Sequence, residues 1–198
     1  MEVTKHLVTE MPIRVSALRS LGAFANIFAI ESFMDELALH NSADPFDFRI
    51  THLGDSRAIA VLEKLHEISS WPQRPTAGNG NGWGIGFACY ENLGAYAGIL
   101  MQLRVDETSG VIALQKVFAV VDAGLIVNPD GARAQIEGGI IQSASWTLKE
   151  QLVFSRSEIQ SRDWLSYPIL GFEEIPDIHV EIVDQKKRQS LGVGEVAQ

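Results

Sequence analysis

Cysteine is almost missing from this sequence: Cys89 is the only one in 198 residues. An internal disulfide is therefore excluded, as is any iron–sulfur or zinc site built from CxxC pairs of this chain alone. Long apolar runs are missing too. The richest, Val117-Phe118-Ala119-Val120-Val121, is stopped by Asp122, well short of the ~18 residues that a bilayer span needs. The opening MEVTKHLVTEMP has no charged region followed by an apolar one, so no secretory or transit segment is read in it. Positive charge is scarce: 16 Lys+Arg against 25 Asp+Glu leave a formal net charge of -9 at pH 7. That balance repels a phosphate backbone and argues against a nucleic-acid partner. What is present is 46% hydrophobic and 21% charged, with a mean hydropathy of +0.06. This is the composition of a globular chain with a real core, and the length fits one domain or two small lobes.

Periodicity divides the chain near residue 72. Pro12-Ile13-Arg14-Val15 reads as a short extended entry. From Phe24 to about His40, Phe24, Ile27, Phe28, Phe33, Met34 and Leu37 recur largely at helical spacing, with Glu31, Asp35 and Glu36 among them. Asp44 as N-cap with Pro45 after it predicts a short second helix to about Leu53. A third helix is predicted from about Ser56, with Val61, Leu62, Leu65 and Ile68 on one face and a stop at Trp71-Pro72. The stretch from Pro72 to Gly82 (PQRPTAGNGNG) is a loop. The period then changes to two, and strands are predicted over 84–90, 96–105 and 111–121, with Asp106 to Gly110 as a hairpin connection. Asn128-Pro129-Asp130 supplies a cap, a first-turn proline and a first-turn acid for a long helix to about Gln151. A last strand is predicted over 178–183. The expected fold is α+β: an N-terminal helical stretch, then a mostly antiparallel sheet with one long packed helix.

Few residues advertise chemistry. Gly82-Trp83-Gly84-Ile85-Gly86 lacks the following helix and acidic residue of a dinucleotide fingerprint, so its glycines read as a strand passing close to a backbone or a ligand. The five histidines show no HxH or HExxH spacing, and Glu31, Asp35 and Glu36 have no matching ExxH, so solvation or local pairing is expected of these acids. Gly138-Gly139 is costlier, because each glycine inside a helix loses about 1 kcal/mol relative to alanine. Either tight packing or a bulky group must approach that face. Glu195 sits between Gly192-Val193-Gly194 and Val196-Ala197. Desolvation beside that apolar segment is expected to raise its pKa and suit it to base catalysis.

Six segments in order carry a resemblance: Leu18-Arg19-Ser20-Leu21-Gly22; the stretch from Asn26 to Ala38 (NIFAIESFMDELA); Asp44-Pro45 to Phe48-Arg49; Val121-Asp122-Ala123-Gly124 with Asn128-Pro129; Gln135-Ile136-Glu137-Gly138-Gly139; and Gly192-Val193-Gly194-Glu195. Together they resemble the molybdopterin-binding large subunit of the xanthine dehydrogenase and aldehyde oxidase family, most of all its isoquinoline 1-oxidoreductase beta-subunit type. The resemblance implies a molybdenum hydroxylase that adds a water-derived oxygen to an N-heteroaromatic compound or an aldehyde, with electrons passing to a small [2Fe-2S] subunit. It implies molybdopterin, in bacterial enzymes often its cytosine dinucleotide, held through its own dithiolene and not by a protein metal ligand. Glu195 is then the general base. Arg19, Ser20 and Gly22 lie along the substrate side, Gln135 hydrogen-bonds the pterin, and Gly138 and Gly139 admit it closely.

The sequence also departs from the family pattern. The xanthine dehydrogenase motif has a glycine after the arginine and an aromatic residue where Leu21 stands, which argues against xanthine as substrate. A Gly-Gln-Gly cofactor motif and a helical segment after the glutamate are not found here. The chain therefore reads as a C-terminal fragment of a longer subunit, with 1–75 as a helical segment and 76–198 as a sheet-and-helix segment of one domain. Alone, such a fragment is expected to hold no cofactor, to be inactive, and to self-associate through exposed apolar faces. The competing expectation is a degenerate, non-catalytic domain that serves as a subunit-interaction module.

Overall fold

The computed structural model describes residues 4–90, 94–183 and 185–198. Three helices open the chain: α1 (Ala23–His40), α2 (Pro45–His52) and α3 (Ser56–Ile68). The strands are β1 (Asn81–Cys89), β2 (Tyr96–Val105) and β3 (Ile112–Asp122); α4 (Pro129–Leu148) and β4 (Asp177–Ile182) follow. The sheet order is β1-β2-β3-β4, antiparallel except for the parallel pair of β3 and β4. The α+β expectation holds, and boundaries differ by a few residues. The extended entry at Pro12 to Val15 forms no strand, and the expected 72–82 loop overlaps a 3-10 turn, Trp71–Gln73, at its start and β1 at its end.

Caps expected from the sequence form as side-chain bonds. Asp44 accepts the Phe46 N–H, and Asn128 accepts the Gly131 N–H, at the starts of α2 and α4. The sheet is covered on both faces. Val61, Leu62 and Leu65 of α3, with Phe46 and Trp71, pack on Ile85, Leu100 and Val120. Gly98 permits that approach, since a Cβ there would lie 3.2 Å from both Leu65 and Val61. On the other face, Ile136 and Ile140 of α4 pack with Ala97, Val117, Ala119, Val121 and Val180, and Val196 and Ala197 join them. The C-terminal residues are thus part of the core.

Two arginines, Arg49 buried and Arg57 half-buried, fix the helices to the sheet. Arg49, with 2% of its side chain exposed, bonds Glu31 at 2.8 Å and Asp35 at 2.7 Å. Glu31 Oε2 also accepts the Phe87 N–H at 2.9 Å, while Arg49 Nη2 donates to the Ile85 carbonyl at 3.3 Å. Acceptor and donor together stand in for a neighbouring strand along the free edge of β1, which would otherwise offer itself to another chain. Glu31 and Asp35 of α1 therefore pair with Arg49 while Glu36 is exposed, and among the described residues no cluster of His, Cys, Asp or Glu could hold a metal ion. Arg57 at the start of α3 grips Asp122 at 2.9 and 2.6 Å. Burial acts to raise the Asp122 pKa, but the Arg57 and Gly124 N–H bonds outweigh it and hold the carboxyl below its ordinary 3.8.

Helix α1 is little buried. Only Ala38 is buried, while Phe28 and Phe33 are 69% and 57% exposed. Apolar residues occur on more than one face of α1, and the sheet receives only one side of it. Trp164, Leu165 and Phe172, on the segment between α4 and β4, are also exposed. No helix among the described residues is long and apolar enough to cross a membrane.

The Arg49 cluster makes a stability prediction. Breaking a buried pair leaves an uncompensated charge, so Arg49→Ala should lower the unfolding free energy in urea by about 3–5 kcal/mol. A loss under about 1 kcal/mol would put the cluster in the class of surface ion pairs.

Candidate active site

Four stretches far apart in sequence meet at one point: the turn before α1, the end of β1, the middle of α4 and the C-terminal segment. Arg19 makes the junction. Its Nε donates to the Gly194 carbonyl at 2.6 Å, Nη1 to Gln142 Oε1 at 3.0 Å, and Nη2 to the Gln135 carbonyl at 3.4 Å. These bonds hold the C-terminal segment against α4.

The turn after Arg19 is strained. Ser20 and Leu21 both lie in the left-handed region, with φ of 67° and 51°, at a cost of about 1–3 kcal/mol each for non-glycine residues. The turn is held by Leu21 N–H to Leu18 O at 3.0 Å and Ala23 N–H to Ser20 O at 2.9 Å. In this conformation the Ser20 amide donates to Glu195 Oε1 at 2.8 Å. Tyr90, just past β1, donates its hydroxyl to Glu195 Oε2 at 2.6 Å. Both carboxylate oxygens are engaged.

The electrostatics correct the expectation for Glu195. The Tyr90 hydroxyl first, then the Ser20 amide, hold its carboxyl below the ordinary 4.5, with the Arg19 charge assisting; desolvation opposes them and is outweighed. Apolar neighbours do not set this pKa, because donors reach the charged form directly. Near neutral pH Glu195 is an ionised, half-buried carboxylate that can accept a proton and has none to give.

The glycines of α4 separate in role. Gly139 is buried, and a Cβ there would lie 3.6 Å from Ala197 Cβ and Arg19 Nη2, so it receives the C-terminal segment. Gly138 is exposed, with nothing within 4 Å of a Cβ. Gly22 lies outside the bonded cluster as the N-cap residue of α1. Gln135 takes part through its backbone carbonyl; its exposed residue lines a separate recess of about 250 Å³ with Asn128, Gly131 and Ser190. Gly84 and Gly86 also meet nothing within 4 Å of a Cβ, so no neighbouring backbone explains them.

Glu195 opens on a cleft of about 420 Å³, whose walls include Asn26, Ile27, Ile30, Cys89 and Tyr90. An adjoining trough of about 380 Å³ has Gly84, Gly86, Ile99 and Met101 on the sheet side and Phe24 and Phe28 of α1 opposite. Burial pushes the Cys89 thiol up, which leaves it a poor nucleophile at neutral pH. Two buried polar atoms near Glu195 have no hydrogen-bond partner among the described residues: Oγ of Ser20, a residue only 1% exposed, and Oε1 of Gln198. Of the seven site residues expected from the sequence, Arg19, Ser20, Gly139 and Glu195 converge with the Gln135 backbone. Tyr90, Gln142 and Gln198 were not expected. Their roles depend on which strand end and helix face meet, and no local motif announces that.

A carboxylate held by Ser20 and Tyr90 beside a cleft, on a helix-covered mixed sheet, has the form of a candidate small-molecule site. The molybdopterin cofactor-binding domain model matches residues 70–176, and the chain belongs to that family. The nicotinate dehydrogenase B subunit of Pseudomonas putida is 38% identical over 210 residues, covering 100% of this chain and 18% of that protein. The isoquinoline 1-oxidoreductase beta subunit of Brevundimonas diminuta is 32% identical, covering 96% of this chain and 24% of that protein. The chain thus spans a quarter or less of these two relatives. The aldehyde oxidoreductases of Desulfovibrio desulfuricans and Desulfovibrio gigas match with TM-scores of 0.72 and 0.73, over 91% of this chain and 37% and 38% of theirs. At 15% and 14% identity, that likeness shows the fold.

The Arg19 junction is testable by amide hydrogen exchange. Bonds to a charged group contribute about 1.5–3 kcal/mol each, so Arg19→Ala should speed exchange of the core amides of Val196 and Ala197 by roughly ten- to a hundredfold. Unchanged rates would show that apolar packing alone holds the segment.

Proposed function

We propose that this chain forms part of the cofactor-binding region of a molybdenum hydroxylase large subunit, acting on an electron-poor N-heteroaromatic compound or an aldehyde, with Glu195 as the base. The observation that carries this reading is the convergence of Arg19, Ser20, Gly139 and Glu195, from segments up to 175 residues apart, beside an apolar cleft. The names of the two curated relatives point to N-heteroaromatic substrates.

The residues present fit a pterin, which needs polar partners and close backbone approach. Among the described residues, Ser20 Oγ and Gln198 Oε1 are buried and have no hydrogen-bond partner. The Gln135 side chain is exposed, and Gly138 leaves its helix face bare. In this reading Ser20, Gln135 and Gly138 hold the cofactor, while Gly139 acts indirectly by seating the Glu195 segment. The bound cofactor supplies a two-electron redox centre at which a substrate carbon gains a water-derived oxygen. Glu195, kept ionised, takes up the proton that this oxygen loses. Ile27 and Ile30 give one side of the cleft an apolar lining, and Asn26 offers a polar contact to a ring nitrogen or carbonyl. Residues 1–75 and 76–198 act as two segments of one domain. With one cysteine here, iron–sulfur clusters belong to other segments or to a partner. Both curated relatives are named as single subunits of larger enzymes, which supports a separate [2Fe-2S] subunit.

Glu195→Gln in the full-length enzyme separates chemistry from cofactor retention. It should lower turnover by roughly 10²–10⁴-fold, the usual contribution of a general base, with molybdenum content unchanged. Wild-type turnover in the variant would sink the assignment of the base.

A further inference from the structure

The pair made by Tyr90 and Glu195 joins a motif-free position to the last residue of the Gly192-Val193-Gly194-Glu195 segment. Tyr90 follows the last residue of β1 in a segment whose strand character was its only legible feature, yet its hydroxyl reaches the carboxylate at 2.6 Å. The two donors on Glu195 differ in kind. The Ser20 amide is fixed in a strained turn and can only donate, whereas a phenol hydroxyl rotates and can either donate or accept.

We propose that Tyr90 is the positioning residue of Glu195, and that its hydroxyl directs the proton to Oε2 while the Ser20 amide anchors Oε1. This rests on the reading of Glu195 as the base. Before uptake, the Tyr90 O–H donates to Oε2. The arriving proton bonds to Oε2, the Tyr90 hydroxyl turns, and its oxygen accepts from the new carboxyl O–H. The Ser20 N–H keeps its bond to Oε1 throughout, so the side chain does not swing away when its charge is lost. No electrons are transferred, and the proton comes from the group that Glu195 deprotonates.

Few other groups can take this role. Among the described residues, the charged or titratable groups facing Glu195 are Arg19 from the turn before α1, and Tyr90 and Cys89 from the end of β1. Helix α1 presents Asn26, Ile27 and Ile30 to the same cleft, and α4 presents Gln142 behind Arg19. Arg19 is committed to Gly194, Gln135 and Gln142, and the Cys89 thiol stays protonated at neutral pH. Among the described residues, Tyr90 alone donates a side-chain hydroxyl to Glu195, and that hydroxyl can reverse its bond.

The test reads the carboxylate itself. With glutamate labelled at the side-chain carboxyl carbon, the Glu195 signal is assigned by its loss in Glu195→Gln and titrated by carbon NMR in the complete natural polypeptide without turnover. Removing a donor to the charged form should make Tyr90→Phe titrate at higher pH than the wild type. Replacing Tyr90 by 3-fluorotyrosine keeps the hydroxyl and strengthens it as a donor, so the titration should move to lower pH. Cys89→Ala should leave the titration in place. In the loaded enzyme, Tyr90→Phe should lower kcat by roughly ten- to a hundredfold, the range of a misplaced catalytic group, with KM little changed and the acid limb of the pH profile moved up. A Glu195 titration that stays put in both Tyr90 variants overturns the proposal. Because that titration involves no turnover, its outcome is separate from the Glu195→Gln test of the base.

Discussion

The guanidinium of Arg19 does what no backbone ladder could do in this chain. The turn before α1, the middle of α4 and the residues around Glu195 belong to no common sheet, and Arg19 ties them by three bonds to Gly194, Gln142 and the Gln135 carbonyl. The consequences reach in both directions. Toward the core, Val196 and Ala197 are pressed onto the sheet beside Ile136 and Ile140. Toward the cleft, the next residue, Ser20, is left in a left-handed conformation that aims its amide at Glu195. Strain of this kind persists only where the surroundings over-determine it, and Ser20 is buried to 1% exposure.

The same economy recurs at the sheet edge and at the start of α3. Arg49 with Glu31 completes the bonding of β1, and Arg57 with Asp122 fixes α3 over the end of β3. All three arginines are planar donors with several fixed N–H directions, which a lysine could not replace. In an acidic chain with few cations, 16 Lys+Arg in 198 residues, three of the cations are placed where backbone and carboxylate acceptors converge.

The legibility of the fold followed the range of the interactions. Caps and periods are local, so α2, α3, α4 and the four strands were readable to within a few residues, Asp44 and Asn128 being the plainest signs. Where local signals mislead, a longer-range contact has decided. The apolar spacing of α1 announced a helix and not its depth, and the sheet receives only part of it and leaves Phe28 and Phe33 exposed. The acids of α1 were read as solvated or locally paired, while Arg49, the partner of Glu31 and Asp35, could be named only once α2 had turned back on them. Glu195 and its neighbours were found through a family likeness, and the likeness was silent on the carboxylate's state. A hydroxyl 105 positions away and an amide 175 positions away hold it ionised, opposite to what the apolar residues beside it suggested. The two α4 glycines looked alike in sequence, and only the packing of Ala197 onto Gly139 tells them apart.

The central claim is that these segments belong to a molybdenum enzyme and cradle its cofactor. Elemental analysis tests it most directly, on the complete natural polypeptide purified together with any partner subunit it is produced with. The account predicts close to one molybdenum per polypeptide. A complete, correctly assembled preparation that holds none would contradict it, and would leave this fold as a module that keeps the family architecture without the chemistry.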